Sequence, residues 1–231
     1  MCGIIAILGY YNLFTIIECL EKLQNRGYDS AGLSYINSNN YVIKKELHKE
    51  SISNLLNYTK EINLNNNFLN CISHTRWATH GGITMDNCHP HLSNNGKLCL
   101  VHNGIIENYL ELKQFLLDNN YNFYSDTDSE IIVNLIEYYL NKIKESNESN
   151  ESNRSNESNG SNGSNESNES NGSKESNESN ESNEDEYIQV AIYNALNKCN
   201  GTWGLIIQYI DKPNKFYAIK KGSPLLLGKN D

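Results

Sequence analysis

The pattern of apolar and polar positions divides the chain into short strands and amphipathic helices. A continuous apolar run at residues 4–8 predicts an inner strand over residues 3–9. From residue 16 to residue 23 the apolar side chains recur on one helical face, and Gly27 is placed to end that helix.

The same reasoning predicts the remaining elements. Residues 60–70 are rich in asparagine and are expected to form a loop. Thr127 and Glu130 stand at capping-box spacing and open a helix at residue 128. Strands are expected at 31–36, 41–47, 71–77, 98–102, 203–210 and 216–220, and helices at 52–58, 107–117, 128–140 and 187–197. This order indicates sheets covered by helices in layers, in the α+β or α/β class.

One segment differs from the rest in composition. Residues 145–186 repeat Ser-Asn-Glu and contain no apolar side chain, so they cannot bury surface to offset their ordering entropy. They are predicted to be a disordered insert between residues 1–144 and 187–231, which form the folded domain. The insert holds twelve acidic and two basic residues, a net charge of −10, while the whole chain carries −9. The acidity therefore belongs to the insert and says nothing about partners of the domain.

Composition also excludes several classes of protein. No basic patch favours nucleic acid, and no apolar run approaches the roughly 20 residues of a membrane span. The first apolar run is short and lacks the basic start of a secretory signal. The six cysteines show no tight pairing pattern, which favours reduced thiols in the cytoplasm.

The most informative single residue is Cys2, directly behind the initiator methionine. Removal of Met1 would leave a thiol and an α-amine on one residue, and an amine with a pKa of about 7.7–8.0 can accept a proton near neutral pH. The alternative is a small buried residue at the start of a strand.

Three further positions carry candidate chemistry, each with a plainer explanation. Asn103 and Gly104 offer an amide and a backbone N–H to an oxyanion, or form an ordinary Asn-Gly turn. Arg76 suits a carboxylate, or belongs to a surface ion pair. Asp128 can pair with an ammonium group, or simply complements the helix dipole.

Five of the six histidines fall within thirty residues, which raises the question of a metal site. Cys88, His89 and His91 form the densest group of ligand-type side chains. No CxxC or HExxH spacing accompanies them, so no metal is predicted.

Taken together, these stretches resemble the class II, N-terminal-nucleophile glutamine amidotransferases, and most closely the glutaminase domains of isomerising glutamine–fructose-6-phosphate aminotransferases. The resemblance covers nearly the whole chain outside the insert. It rests on MCGI at 1–4, NRGYDSAGL at 25–33, HTRWATHG at 74–81, HPH at 89–91, HNGIIENY at 102–109, TDSE at 127–130 and GSPL at 222–225.

The resemblance implies a role for each matching residue. Cys2 would be the nucleophile, and Asn103 with the N–H of Gly104 would form the oxyanion hole. Arg76 would hold the α-carboxylate of glutamine and Asp128 its α-ammonium. The remaining substrate-binding positions are Thr79 and His80 in a loop that closes over glutamine, Trp77 as a gate for ammonia, and Arg26 near Cys2.

The fold implied is α+β, a four-layer αββα sandwich of the N-terminal-nucleophile hydrolase type, and the resemblance implies no cofactor. Glutamine would be hydrolysed through a Cys2 thioester, and the ammonia would pass to a sugar-isomerase domain that converts fructose 6-phosphate to glucosamine 6-phosphate. From the resemblance we expect that domain and the last strands of the glutaminase fold to be missing from this chain. The expectation is therefore a C-terminally truncated glutaminase half, whose homo-oligomerisation would run through the absent domains. Another class II amidotransferase and an inactive scaffold fragment are the alternatives.

Overall fold

The computed structural model describes residues 2–62, 67–77, 81–157 and 175–229. Two compact units divide the chain: residues 1–134 together with 199–231, and residues 135–198. Each unit is described separately below.

The first unit is built on two four-stranded sheets. Sheet A has the order β1-β4-β2-β3 and sheet B the order β5-β6-β7-β8, and every pairing between these strands is antiparallel. Sheet A comprises β1 (Gly3–Tyr11), β2 (Ser30–Asn37), β3 (Asn40–Leu47) and β4 (Asn67–Arg76). Sheet B comprises β5 (His91–Leu92), β6 (Leu98–Ile106), β7 (Gly201–Tyr209) and β8 (Phe216–Lys221).

Helices α1 (Leu13–Glu21) and α2 (Ser51–Glu61) cover one face of sheet A. Asn12 caps α1 by accepting a hydrogen bond from the N–H of Phe14 at 2.9 Å, so the helix begins three residues before the start expected from its apolar face. A single apolar core joins the two helices to the sheet. Its buried members are Leu13, Ile16, Ile17, Leu20, Ala31, Leu33, Tyr35, Ile52, Leu55 and Cys71.

The opposite face of sheet A packs on sheet B through a second apolar core. Successive side chains of a strand point to opposite faces, so Cys71 of β4 faces the helices while Ile72 faces sheet B. Val101 and Ile206 meet Ile72 from sheet B. Strand β1 has apolar contacts on both faces: Ile5 and Ile7 pack, partly buried, on the helix side, and Ile4 and Ala6 on the side of sheet B. This accounts for its continuous apolar run. The first unit thus contains the layers helix, sheet and sheet.

Several boundaries in this unit differ from the sequence expectations. Strand β1 continues past its expected end to Tyr11, and α1 ends at Glu21, so Gly27 follows a short 3₁₀ helix (Gln24–Arg26) and does not end α1. Strand β4 begins at Asn67, inside the segment expected to be a loop, because it pairs with the far end of β1 at Tyr11. Strand β6 continues past residue 102 to Ile106, where it pairs with β7. Asn103 and Gly104 consequently lie in a strand, and the Asn-Gly turn considered above is wrong.

Helix α3 (Tyr109–Asp118) follows β6 and buries Leu112 and Leu116. The first turn of α4 (Asp128–Glu157) also belongs to this unit. Glu130 does not complete the expected capping box with Thr127. Its carboxylate instead accepts hydrogen bonds from the backbone N–H groups of Tyr124 and Ser125, which shapes the loop before the helix.

The second unit consists of the rest of α4 and of α5 (Glu175–Lys198). An ion pair of 3.3 Å joins Lys144 of α4 to Glu184 of α5. Both helices extend into the Ser-Asn-Glu repeat, to residue 157 and from residue 175, whereas its composition predicts disorder. Residues 158–174 lie outside the described part, and the assignment of 145–186 as a separate insert stays a prediction. None of the described helices is long and apolar enough to cross a membrane.

Candidate active site

The pairing of β1 with β4 determines where Cys2 lies. Antiparallel register sets Gly3 opposite Thr75, and the N–H of Gly3 donates to the Thr75 hydroxyl at 3.0 Å. The start of β1 therefore meets the end of β4. There the N–H of Trp77 donates to the Cys2 sulfur at 3.3 Å.

Two effects act on the Cys2 thiol in opposite directions. Burial raises its pKa, because the thiolate loses hydration. The Trp77 N–H, an N-terminal positive charge and Arg76 each lower the pKa, but burial is the larger effect. With Met1 attached, Cys2 is therefore held as a neutral thiol at neutral pH and needs a base before it can attack.

Strand β6 brings the Asn-Gly pair to Cys2. The side-chain amide of Asn103 donates from Nδ2 to the Cys2 carbonyl oxygen at 2.8 Å. Gly104 has φ +150°, and a Cβ at that position would overlap the carbonyl oxygen of Thr202 on β7. The site therefore requires glycine next to Asn103 for steric and conformational reasons.

A cavity of about 70 Å³ opens at this point. This is smaller than the roughly 300–1,000 Å³ of pockets for drug-sized ligands, so any ligand here is a small molecule. The residues that line it are Cys2, Arg76, Trp77, His89, His102, Asn103, Gly104, Ile105, Thr127, Asp128 and Ser129. Six of the residues singled out in the sequence thus share one cavity, although they come from four separate stretches of the chain.

The cavity combines opposite charges. The buried guanidinium of Arg76, at the end of β4, donates from Nη1 to the Gly82 carbonyl oxygen at 3.0 Å. The carboxylate of Asp128, in the first turn of α4, accepts a hydrogen bond from the N–H of Ile106 at 2.8 Å. A cation and an anion at one small cavity match a zwitterionic ligand such as an amino acid.

The other predicted site residues are distributed differently. Trp77 is 45% exposed, and its ring centroid lies 5.5 Å from that of Tyr28. Arg26 lies exposed in a short 3₁₀ helix and is not among the residues that line the cavity. Thr79 and His80 fall outside the described residues, so their proposed roles stay predictions.

Sequence reasoning did not assign a role to a group of buried histidines at this cavity, of which His89 and His102 line it. The Ser129 hydroxyl is 2.9 Å from both His89 Nε2 and His102 Nδ1, and the rings of His74 and His89 stack with centroids 4.0 Å apart. Burial lowers the pKa of each of these histidines, so all three are neutral. Among the described residues no group of three or more His, Cys, Asp or Glu has the geometry of a metal site. Their clustering in the sequence was the signal that could have found this group, but it was weighed only as a question of metal ligands and not as a hydrogen-bonded network.

Proteins of similar sequence are glutamine-dependent amidotransferases and aminotransferases. Residues 74–149 match the family described as "Glutamine amidotransferase domain". Glutamine–fructose-6-phosphate aminotransferase (isomerising) from Clostridium perfringens is 45% identical over 229 residues, covering 99% of this chain and 30% of that protein. The enzyme of the same name from Buchnera aphidicola is 36% identical over 231 residues, covering 99% and 30%. The chain therefore spans about a third of the length of these curated relatives.

Two solved structures show the fold. The glutamine phosphoribosylpyrophosphate amidotransferase from B. subtilis aligns with a TM-score of 0.58 at 19% identity, covering 91% of this chain and 35% of that one. The structure titled as the allosteric regulatory enzyme of purine biosynthesis aligns with a TM-score of 0.57 at 23% identity, covering 90% and 35%. The predicted α+β fold of the N-terminal-nucleophile hydrolase type is confirmed.

Proposed function

The chain carries a glutamine amidotransferase domain of the kind found in isomerising glutamine–fructose-6-phosphate aminotransferases, and from this premise we propose that it hydrolyses L-glutamine at Cys2. The observation that carries the proposal is the convergence of Cys2, Asn103, Arg76 and Asp128 on one small cavity. A nucleophile, an oxyanion donor and two opposite charges are what hydrolysis of a zwitterionic amide requires.

The reaction begins with removal of Met1, which frees the α-amine of Cys2. That amine takes the thiol proton, and the sulfur attacks the side-chain amide carbon of glutamine. The oxyanion that forms receives hydrogen bonds from Asn103 Nδ2 and the N–H of Gly104. The carbon–nitrogen bond then breaks, the leaving nitrogen takes the proton from the amine, and ammonia departs.

A γ-glutamyl thioester on Cys2 remains. The amine next accepts a proton from water, and the resulting hydroxide attacks the thioester carbon. The carbon–sulfur bond breaks, the sulfur recovers a proton, and glutamate leaves. The same two donors serve both tetrahedral intermediates, because the oxygen occupies the same position in each.

Substrate recognition uses the charged groups of the cavity. Arg76 binds the α-carboxylate of glutamine, for which its planar guanidinium is suited. Asp128 binds the α-ammonium. Trp77, Thr79 and His80 are the residues proposed to cover the bound substrate, with Trp77 gating ammonia. Arg26, which is exposed and does not line the cavity, is given no part in this step.

Turnover of glutamine tests this proposal directly. The purified chain is expected to release glutamate and ammonia from glutamine, and Cys2→Ala to release none above background. Cys19→Ala is the matched control, since Cys19 is partly exposed in α1 and does not line the cavity. Equal activity in the wild type and Cys2→Ala would refute the nucleophile, and no activity in any form would favour the scaffold alternative.

The relatives' names extend the proposal to a product. We propose that ammonia from this domain is delivered to a sugar-isomerase domain, in this or another polypeptide, that aminates fructose 6-phosphate to glucosamine 6-phosphate.

None of the six cysteines, all within the described ranges, forms a disulfide. Reduced thiols suit the cytoplasm, which is the proposed location.

A further inference from the structure

The amide of Asn103 is fixed by contacts on both of its ends. Its Nδ2 lies 2.8 Å from the Cys2 carbonyl oxygen, which can only accept a hydrogen bond. The nitrogen must therefore face Cys2, and Oδ1 faces the other way, 3.2 Å from Nε2 of His74. Nδ2 has a second N–H, and this side chain lines the cavity.

His74 is the donor on the far side of this amide. Its Nε2 also lies 3.1 Å from the His102 carbonyl oxygen, so both neighbours of this nitrogen are acceptors. The ring consequently carries its proton on Nε2 and shares it between the two oxygens. Burial lowers the pKa of His74 to about 3, which keeps this neutral form over the physiological range.

The imidazole of His74 is itself held rigidly. The side chain is 1% exposed on β4, and its ring stacks on His89 at 4.0 Å. Strand β2 sets Gly32 opposite His74, and a Cβ at Gly32 would overlap the carbonyl oxygen of His89. The backbones of β2 and His89 thus pack in direct contact beside the ring. Because the His74 ring is held in place, its Nε2–H can fix the orientation of the Asn103 amide oxygen that it binds.

We propose that His74 is a positioning residue that keeps the Asn103 amide oriented with its N–H groups toward Cys2 and the reacting oxygen. The inference rests on the proposed glutamine hydrolysis, in which that amide stabilises the oxyanion. A rotated amide would present Oδ1 to the negative charge and would repel it. Without the His74 donor, Oδ1 also loses its buried partner, and the orientation then depends on the single bond to the Cys2 carbonyl.

The test replaces the donor while keeping the ring. His74→Phe retains the volume and the stacking on His89 but has no N–H. We expect kcat for glutamine hydrolysis to fall about 10- to 100-fold, because an oxyanion donor is misplaced, with KM changed less than about twofold. His74→Gln carries a donor near the position of Nε2 and is expected to recover most of this loss. The rate of Cys2 alkylation by iodoacetamide, which needs no oxyanion donor, should stay as in the wild type.

A double-mutant cycle separates positioning from general destabilisation. In an Asn103→Ala background His74→Phe should lower kcat less than about twofold further, because the group it orients is gone. Ser73→Ala removes a buried hydrogen bond to Ile5 from the same strand and serves as the matched control with unchanged kcat. An equal loss in both backgrounds, or no loss from His74→Phe in an active wild type, would overturn this inference and leave the proposed function standing. An inactive wild type would overturn the proposed function and, with it, this role.

A measurement on the unmodified chain needs no variant. Nitrogen-15 NMR of the imidazoles should show His74 as a neutral ring protonated at Nε2 from pH 5 to pH 8. A neutral ring protonated at Nδ1 within that range would overturn the inference, because Nε2 would then be an acceptor and could not donate to Asn103 Oδ1.

Discussion

Gly104 supplies the most quantitative prediction, because both its conformation and its surroundings exclude a side chain. A Cβ there would lie 2.8 Å from the carbonyl carbon of Thr202 and 2.8 Å from the Cα of Trp203, and would overlap the Thr202 oxygen. Ordinary carbon–carbon contacts are about 3.5–4.0 Å. Because the overlap with the Thr202 oxygen is larger still, strands β6 and β7 would have to separate by more than about an ångström to admit one methyl group.

The expected cost of Gly104→Ala has two parts. A non-glycine residue forced to φ +150° costs about 1–3 kcal/mol, and overpacking costs a further 1–3 kcal/mol or so. The two parts sum to about 2–6 kcal/mol, and the middle of that range, about 4 kcal/mol, corresponds to a fall in Tm of roughly 8–16 °C for a chain of this size. The substitution would also displace the Gly104 N–H and the neighbouring Asn103 amide, the two proposed oxyanion donors. We expect kcat to fall about 100-fold, since misplacing a catalytic group by an ångström has that effect.

Thermal unfolding and glutamine turnover of Gly104→Ala are measured beside Gly96→Ala. Gly96 also has a positive φ, of 71°, but nothing lies within 4 Å of its Cβ position, so only the conformational part remains. We expect Gly96→Ala to lower Tm by a few degrees and to leave kcat unchanged. The reasoning is refuted if Gly104→Ala matches the wild type, or if the two variants lose the same amount in both assays.

Two further predictions concern charge. Arg76→Lys should raise KM for glutamine at least tenfold with a smaller effect on kcat, because an ammonium group cannot form the paired hydrogen bonds of a guanidinium with the α-carboxylate; an unchanged KM in steady-state assays would remove Arg76 from substrate binding. Four histidines have lowered pKa values in the folded state: His74, His89, His91 and His102. Below the ordinary histidine pKa of about 6.5, the unfolded chain therefore binds more protons than the folded chain. Their contribution to stability is present above that pH and is lost as the pH falls, by up to about 1.4 kcal/mol per histidine per pH unit. Urea unfolding at pH 7.5 and pH 5.5 measures this, and equal stabilities would contradict the buried, neutral cluster.

Local patterns predicted most of the elements, because an element that packs against others on one or both faces has apolar residues at a matching spacing in its sequence. The continuous apolar run of β1 and the apolar face of α1 are examples. What failed was the end of β6, where Asn103-Gly104 has the composition of a turn. Pairing with β7, nearly a hundred residues away, holds that segment in a strand, and no local pattern carries this information.

The site divides in the same way. Cys2, Arg76, Asn103 and Asp128 were selected by residue type and by resemblance, and the structure brings them to one cavity. Their roles remain to be measured. The contact between His74 and Asn103 was not predictable, since it depends on where β4 and β6 meet across the two sheets. The clustering of histidines raised the question of a metal site and their spacing argued against one, but neither could show that the imidazoles contact hydroxyl and carbonyl oxygens.

The central claim is that the thiol and the freed amine of Cys2 form one catalytic pair. The most direct measurement is peptide mass spectrometry of the chain after treatment with 6-diazo-5-oxo-norleucine, an electrophile shaped like glutamine. The account predicts a single adduct, on Cys2, in a peptide that lacks Met1 and is protected by excess glutamine. An unmodified Cys2 in a chain that has lost Met1, or an adduct that forms equally well with Met1 retained, would contradict it.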